Sequence, residues 1–290
     1  KSSEKWRKRG QKITRIYRSK AGDDESSGET AAKFNIFWSN AETLGPATYS
    51  RRPKVEVFRR FHDQDQVARV AGQILERAIQ YEIDCKQDFH QTMKAVVKDR
   101  LLPGLGACWV RYEPSFERKP LPLPDPDNPA GQPTVQEVEV LTDEYTPVDY
   151  VYWEDLKISP AKTWADVRWL ARFIPFAKDV LKARFGETIA KFGGDIDDVP
   201  CDLDPNVLTE EQKANKSYGE DQETRRAGVY EIWDKESKEL IWVAKGSAFP
   251  LDIQPDRFKL EDFFPCPRPL LASTTNEEIL PVPDYVYYQE

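Results

Sequence analysis

The sequence predicts an α+β fold, with amphipathic helices packed on small mixed or antiparallel sheets. Three observations lead there. Helical spacing of apolar residues is concentrated in the first hundred positions, alternation takes over after them, and Pro103-Gly104 marks the change.

The elements follow in order. Lys5 to Arg18 carries Trp6, Ile13, Ile16 and Tyr17 among basic residues, a partial helical stripe, and a Gly/Asp/Ser/Glu linker follows at Ala21–Glu29. Phe34 to Tyr49 starts as a helix and is expected to stop at Gly45-Pro46, because proline disfavours helix in the residue before it. Asp63 to Tyr81 is the cleanest amphipathic helix. Val67, Val70, Ala71, Ile74, Leu75 and Ala78 keep the three-four spacing, with Asp63 placed to cap it. Phe89, Met93, Val96, Val97 and Leu101 form a second helix, ended by Pro103-Gly104, and Ala107 to Tyr112 reads as a strand. This helix pair feeding a strand is the expected nucleus of the domain.

Lys119 to Pro133 is crowded with proline and reads as a loop. Val135–Leu141, Val148–Trp153 and Arg168–Ile174 read as strands, and Lys178–Phe185 as a short helix closed by Gly186. Gly193 to Gln222 is polar, acidic and expected to be mobile. Val229–Trp233 and Glu239–Ala244 flank Asp234–Lys238 as a hairpin, with Tyr230, Ile232, Ile241 and Val243 as its apolar positions. The chain then runs irregularly to Pro283, and no internal repeat is visible. These divisions give four units: 1–60, a basic helix, linker and hydrophobic segment; 61–175, the α+β core; 176–280, its continuation with the acidic loop and hairpin; and 281–290, the start of a further helix.

Composition narrows the function. The 290 residues are 32% charged and 12% aromatic, a soluble globular composition large enough for one or two domains. A net charge of -8 argues against a general nucleic-acid binder. The charge is uneven: Lys1–Lys20 carries about eight net positive charges, whereas Asp195–Asp204 is acidic. No run is long enough for a transmembrane helix, and no signal peptide opens the chain. The start at Lys1 and the stop after Tyr287-Tyr-Gln-Glu290 suggest a piece of a longer protein. Cys85, Cys108, Cys201 and Cys266 form no CxxC pair and read as free thiols in a reducing compartment.

Chemistry is weakly signalled. His62 and His90 lie near no nucleophile-elbow motif. Asp84, Cys85 and His90 match no zinc spacing, and Asp195, Asp197, Asp198, Asp202 and Asp204 lack the glycine and terminal glutamate of a calcium loop. Gly104-Leu-Gly106 lacks the third glycine and lysine of a phosphate site; a turn explains it. Phe34, Phe37 and Trp38 fall one turn apart, while Trp164, Trp169, Trp233 and Trp242 are spread over strands, and core filling accounts for them. Arg111 beside Tyr112 is the one hint of a base-stacking platform. Asp143 and Glu144 are adjacent carboxylates, but nothing marks them as acid and base. No catalytic residue, metal ligand or cofactor site is assigned.

An ordered set of residues resembles the portal proteins of tailed double-stranded DNA phages, in particular the large portals of short-tailed phages. It begins with Trp6 and Tyr17-Arg18 in the basic helix, then Asn35, Trp38, Asn40, Pro46, Tyr49 and Pro53. The two helices at Asp63–Tyr81 and Phe89–Leu101 come next, followed by Gly104, Gly106, Trp109, Arg111 and Tyr112. Pro147, Asp149, Trp153, Pro160 and Trp164 continue it. Glu231–Asp234 with Trp242-Val243, then Phe264-Pro265, Pro267, Pro281, Pro283 and Tyr285, complete the set.

The resemblance implies the wing of a portal subunit, truncated as its stem helix begins. It implies a homo-oligomeric ring of twelve subunits at a capsid vertex, assembled in the host cytoplasm and retained in the virion. DNA would be packaged and ejected through the ring. The implied partners are terminase, the major capsid protein or scaffold, a head-tail adaptor and transient double-stranded DNA, with no membrane, no cofactor and no enzymatic activity. Lys5, Arg7, Lys8 and Arg9 are the candidate capsid or subunit contact. Asp284, Tyr285 and Tyr288 are the candidate stem-helix start, with Asp284 as its cap. Two other classes stay open: a nucleic-acid-binding module using the basic arm, and a hydrolase with an unrecognised carboxylate site.

Overall fold

A computed structural model describes residues 2–18, 35–58, 65–123, 134–203 and 225–288; at 121–123, 134–136 and 288 it describes the backbone alone. The fold is α+β, and all paired strands among the described residues are antiparallel. Helices α1 (Ser2–Tyr17), α2 (Ile36–Thr48), α3 (Gln66–Tyr81) and α4 (Phe89–Leu101) precede the strands. Then come β1 (Leu105–Val110), β2 (Glu113–Leu123), β3 (Thr134–Tyr145), β4 (Val148–Val151), β5 (Leu156–Ile158) and β6 (Trp169–Ala177). Helix α5 (Lys178–Ala190) precedes β7 (Arg226–Asp234), β8 (Glu239–Ala244), β9 (Pro250–Pro255) and β10 (Leu270–Leu271).

Three sheets result: β10-β1-β4, the two-stranded β2-β3, and β5-β6-β7-β8-β9. One face of the five-stranded sheet carries two cores. At one end, Leu170 and Trp233 pack with Trp109 and Val151 of the β1–β4 sheet and with Trp6 and Trp153. At the other, Val229, Trp242 and Ala244 pack under Leu181, Phe185 and Ile189 of α5. The hairpin positions Tyr230, Ile232, Ile241 and Val243 lie on the opposite, half-exposed face, so the apolar face expected from the sequence is not the one that builds the core.

Helix α4 backs β1. Gly106 sits so close to it that an added Cβ would lie 1.9 Å from the Val96 carbonyl oxygen, and Gly104 has φ +92. Both glycines therefore have structural reasons: one closes the turn, the other admits the helix.

Several expected boundaries move. Helix α2 runs through Pro46 to Thr48, because the missing proline N–H costs one bond near the helix end and Tyr49 N–H still reaches the Gly45 carbonyl at 2.9 Å. Asp65 caps α3 by accepting from Val67 N–H at 2.9 Å; Asp63 lies outside the described residues. Gly186 is inside α5 rather than at its end. The helix continues to Ala190 because Ile189 is buried, and a closing turn leads from it to Gly193, whose φ is +82. There Gly194 N–H bonds the Ile189 carbonyl and Gly193 N–H that of Ala190, a Schellman arrangement.

The proline-rich stretch expected as a loop is strand as far as Leu123; 124–133 lies outside the described residues. Pro114, Pro120 and Pro122 share one parity in β2, the parity whose missing N–H can face away from the single partner strand. The acidic stretch is ordered where described: Asp195 caps a short 3₁₀ turn over Ile196–Asp198, and Ile196 and Val199 are buried. Residues 204–224, with the rest of that expected mobile loop, lie outside the described residues, as do Phe34 and His62. Strand β1 ends at Val110, so Arg111 and Tyr112 follow it rather than forming its end, and β5, β9 and β10 were not foreseen.

Candidate functional site

The basic helix is docked on the fold. Trp6, Gly10, Ile13 and Tyr17 form its buried stripe. The Trp6 ring meets Trp153 edge-on at 5.3 Å, and its Nε1–H donates to the Pro103 carbonyl at 3.1 Å. That geometry turns Lys5, Lys8 and Arg9 outward, all exposed. Arg7 differs: it is half-buried and donates to the Leu156 carbonyl at 3.0 Å. Lys8 pairs with Glu4 at 3.3 Å, an exposed bridge of little energetic weight. The outward cations are thus carried on a fixed helix, and Arg7 has a structural job.

Asn35 joins this helix to the next. Its Oδ1 accepts from Trp38 N–H at 3.0 Å, capping α2, while its Nδ2 donates to the Ile16 and Tyr17 carbonyls at the end of α1. Tyr17 donates to Glu42, and Lys98 lies 3.3 Å from Glu42 and 4.9 Å from the Tyr17 ring centre. The Tyr17 bond holds the Glu42 carboxyl below its usual value.

The chain near its end folds back on this helical layer. Residues Asp284–Tyr288 form a 3₁₀ turn. Asp284 accepts from Arg100 at 2.6 Å, so its carboxylate ties the turn to α4 instead of serving as the cap read from the sequence. Tyr285 packs on Phe37 with ring centres 4.3 Å apart. The Tyr288 side chain is outside the described set.

Helix α3 is the outlier. It has the strongest apolar stripe expected from the sequence and buries none of its residues. Val67 is 78% exposed, Ile74 63% and Leu75 50%. Its anchor is the extended segment before it, where Gln80 accepts from Val55 N–H at 2.9 Å, rather than a packed partnership with α4. Among the described residues this helix thus presents its apolar stripe to solvent. The β2–β3 ribbon is similar, with Phe116 directly opposite Leu141 and both exposed.

Buried ionisable groups escaped the sequence reading. Asp99 of α4 is buried and accepts from the Tyr150 hydroxyl. Burial pushes its carboxyl up to about 7 and also raises the Tyr150 phenol. Asp99 stands three residues after Val96, on the core stripe, and that spacing was the available signal. Burial likewise raises Asp155 to about 6.

The candidate metal ligands do not converge. Asp84 is held by Gln80 and Arg52, Cys85 is exposed, and His90 faces the Tyr49 hydroxyl at 3.3 Å. Among the described residues no group of three His, Cys, Asp or Glu side chains is placed to hold a metal. No helix among them is long and apolar enough to cross a membrane. No protein-family model and no curated protein matches the chain.

Proposed function

We propose that this chain is the wing-like part of a phage portal subunit, a structural protein of the ring that conducts double-stranded DNA into and out of the capsid. The ordered set of residues from Trp6 to Tyr285 carries the reading. The bare apolar stripe of α3 supports it. A cyclic ring uses a heterologous interface, so each subunit needs two unlike faces, and a face left unburied within one chain is suited to a neighbour.

In this reading the outward cations Lys5, Lys8 and Arg9 meet an acidic surface of the capsid, scaffold or adjacent subunit. Terminase and the head-tail adaptor bind the ring and supply or use the moving DNA. The chain is a conduit rather than an enzyme. Its net charge of -8 suits that role, because a wall without many phosphate contacts lets the polymer slide.

Electron-microscope images of the intact protein test the proposal. Rings with a central hole, twelve-fold in top view, are expected. An intact protein that remains monomeric, or closes into compact dimers, overturns it.

A further inference from the structure

The two cores on the five-stranded sheet are separate clusters bridged by the half-buried Leu240. A cavity of about 670 Å³, within the range of small-molecule sites, is lined by residues of both. Its floor is one row across the sheet, where Arg172, Glu231 and Trp242 are directly opposite on β6, β7 and β8. The chain from Arg257 to Arg268 forms the opposing rim.

The lining has an unusual balance for an acidic protein: five arginines against two carboxylates. Two of those arginines are already neutralised. Arg172 donates to Glu231 at 2.6 Å, and Arg111 is bound by Asp149 and Glu113. Arg184 is different. No carboxylate among the described residues lies within ion-pair distance of it, and its guanidinium stands 4.3 Å over the Trp242 ring centre. Stacking on an aromatic face holds a guanidinium in place without occupying its in-plane donors. The Trp242 Nε1–H beside it is buried with no acceptor.

We propose that this cavity is a binding site for a carboxylate carried on an apolar or aromatic body, with the carboxylate on Arg184 and the body against the Trp164, Phe258 and Phe264 wall. The match is one of charge and shape. Arg184, held over Trp242 at the cavity with no ion pair among the described residues, suits a monoanion, while Glu231 and Asp262 disfavour a doubly charged phosphate. The aromatic wall supplies the area that a small carboxylate alone would lack. The carboxylate can belong to a free acid or to an acidic residue of a peptide; both present the same fork to the guanidinium. This site is independent of the portal reading.

Titration of the 290-residue chain with 3-phenylpropionate, followed by the indole N–H signals of its tryptophans, tests the site. The uncharged 3-phenylpropionamide is the control. Saturable binding of the acid is expected, at least tenfold weaker for the amide, and weakened as much by Arg184→Gln. Arg184 is exposed, so the variant should keep its fold, and Arg184→Lys should recover part of the affinity. Acetyl-Phe-Asp-Phe-amide against its Asn counterpart separates the sources: an Asp preference indicates a protein segment, and binding of the free acid alone indicates a small molecule. Either preference, lost in Arg184→Gln, upholds the site. Equal binding of acid and amide overturns it. So does indifference to Arg184→Gln, or no saturable binding by acid or peptide, even where a single-stranded oligonucleotide binds.

Discussion

Arg172 and Glu231 sit directly opposite each other on β6 and β7, and the Arg172 Nε lies 2.6 Å from the Glu231 Oε2. The same carboxylate accepts from Trp233 Nε1–H at 3.0 Å through its other oxygen, and Arg172 stacks 4.7 Å over the Trp109 ring centre. The pair therefore links the central sheet to β1, with both side chains almost wholly out of water.

Removing one partner of such a pair leaves an uncompensated buried charge. Glu231→Gln is expected to lower unfolding stability by roughly 3–5 kcal/mol. Replacing both residues with leucine should cost less than Arg172→Leu and Glu231→Gln combined. Urea unfolding of the four proteins measures this. A Glu231→Gln loss below about 1 kcal/mol would show that the pair is not held in a water-excluded setting.

Asp99 gives the stability a pH dependence with a definite sign. Its folded carboxyl titrates at about 7, above the ordinary 3.8, because burial penalises the charged form. Between those values the folded chain keeps a proton that the unfolded chain has released. This group's contribution is therefore full below about pH 4, declines as pH rises, and is flat above about pH 7, with a full span of roughly 4 kcal/mol. Asp155, raised to about 6, acts in the same direction. Asp99→Asn should gain on the parent by several kcal/mol between pH 4 and pH 8. Chemical unfolding at both pH values would exclude the effect if the difference between the two proteins did not change.

The thiols should separate by burial. Cys85 is exposed, Cys108 and Cys201 are half-buried, and Cys266 is buried; all four are free. Burial raises the Cys108 and Cys266 thiols, so both hold their protons and react slowly. Titration with a chromogenic disulfide should modify Cys85 first and Cys266 only on unfolding. Rapid modification of Cys266 in the folded protein would contradict its position between the sheets.

Much of this architecture was legible locally. The α1 stripe and α4 carry their period within a few turns, and tertiary packing agrees with it; the β7–β8 hairpin is placed by its own alternation, though not the face it buries. The failures have a common cause. Gly186 and Pro46 are strong punctuation in isolation, but Ile189 and Tyr49 give each helix a reason to continue. The hairpin's core face depends on what covers the sheet, and α5 covers the Val229 and Trp242 side. The cavity over Arg172, Glu231 and Trp242 was invisible because those residues meet only through strand register. Asp99 shows the opposite case: its spacing was readable, while its burial required β4 and Tyr150 to be in place.

The outward cations can now be tested apart from the fold. Arg7 anchors α1 to the Leu156 carbonyl, so it should be left intact. Changing Lys5, Lys8 and Arg9 together to glutamine should leave stability within about 0.5 kcal/mol, as expected for surface positions. By the portal reading, incorporation into capsids falls while ring formation persists. Normal incorporation of the triple variant would remove this face from the capsid or subunit contact.

Helix α3 offers the sharpest test of assembly. Within one chain its apolar stripe is solvent-exposed, so charges placed on it remove no intrachain packing. Val70→Glu with Ile74→Glu should therefore leave the thermal transition of the 290-residue chain nearly unchanged. The effect on a ring is different, because each subunit would bury two carboxylates against an apolar neighbour. An unpaired charge at such a contact costs several kcal/mol, and the cost recurs at every interface around the ring. Sedimentation of the intact protein should give rings for the parent and mainly monomers for the double variant. Rings of unaltered stability in the variant would mean that α3 faces solvent in the assembly and that the interface lies elsewhere. A large loss of stability in the 290-residue chain would instead mean that α3 packs within its own subunit.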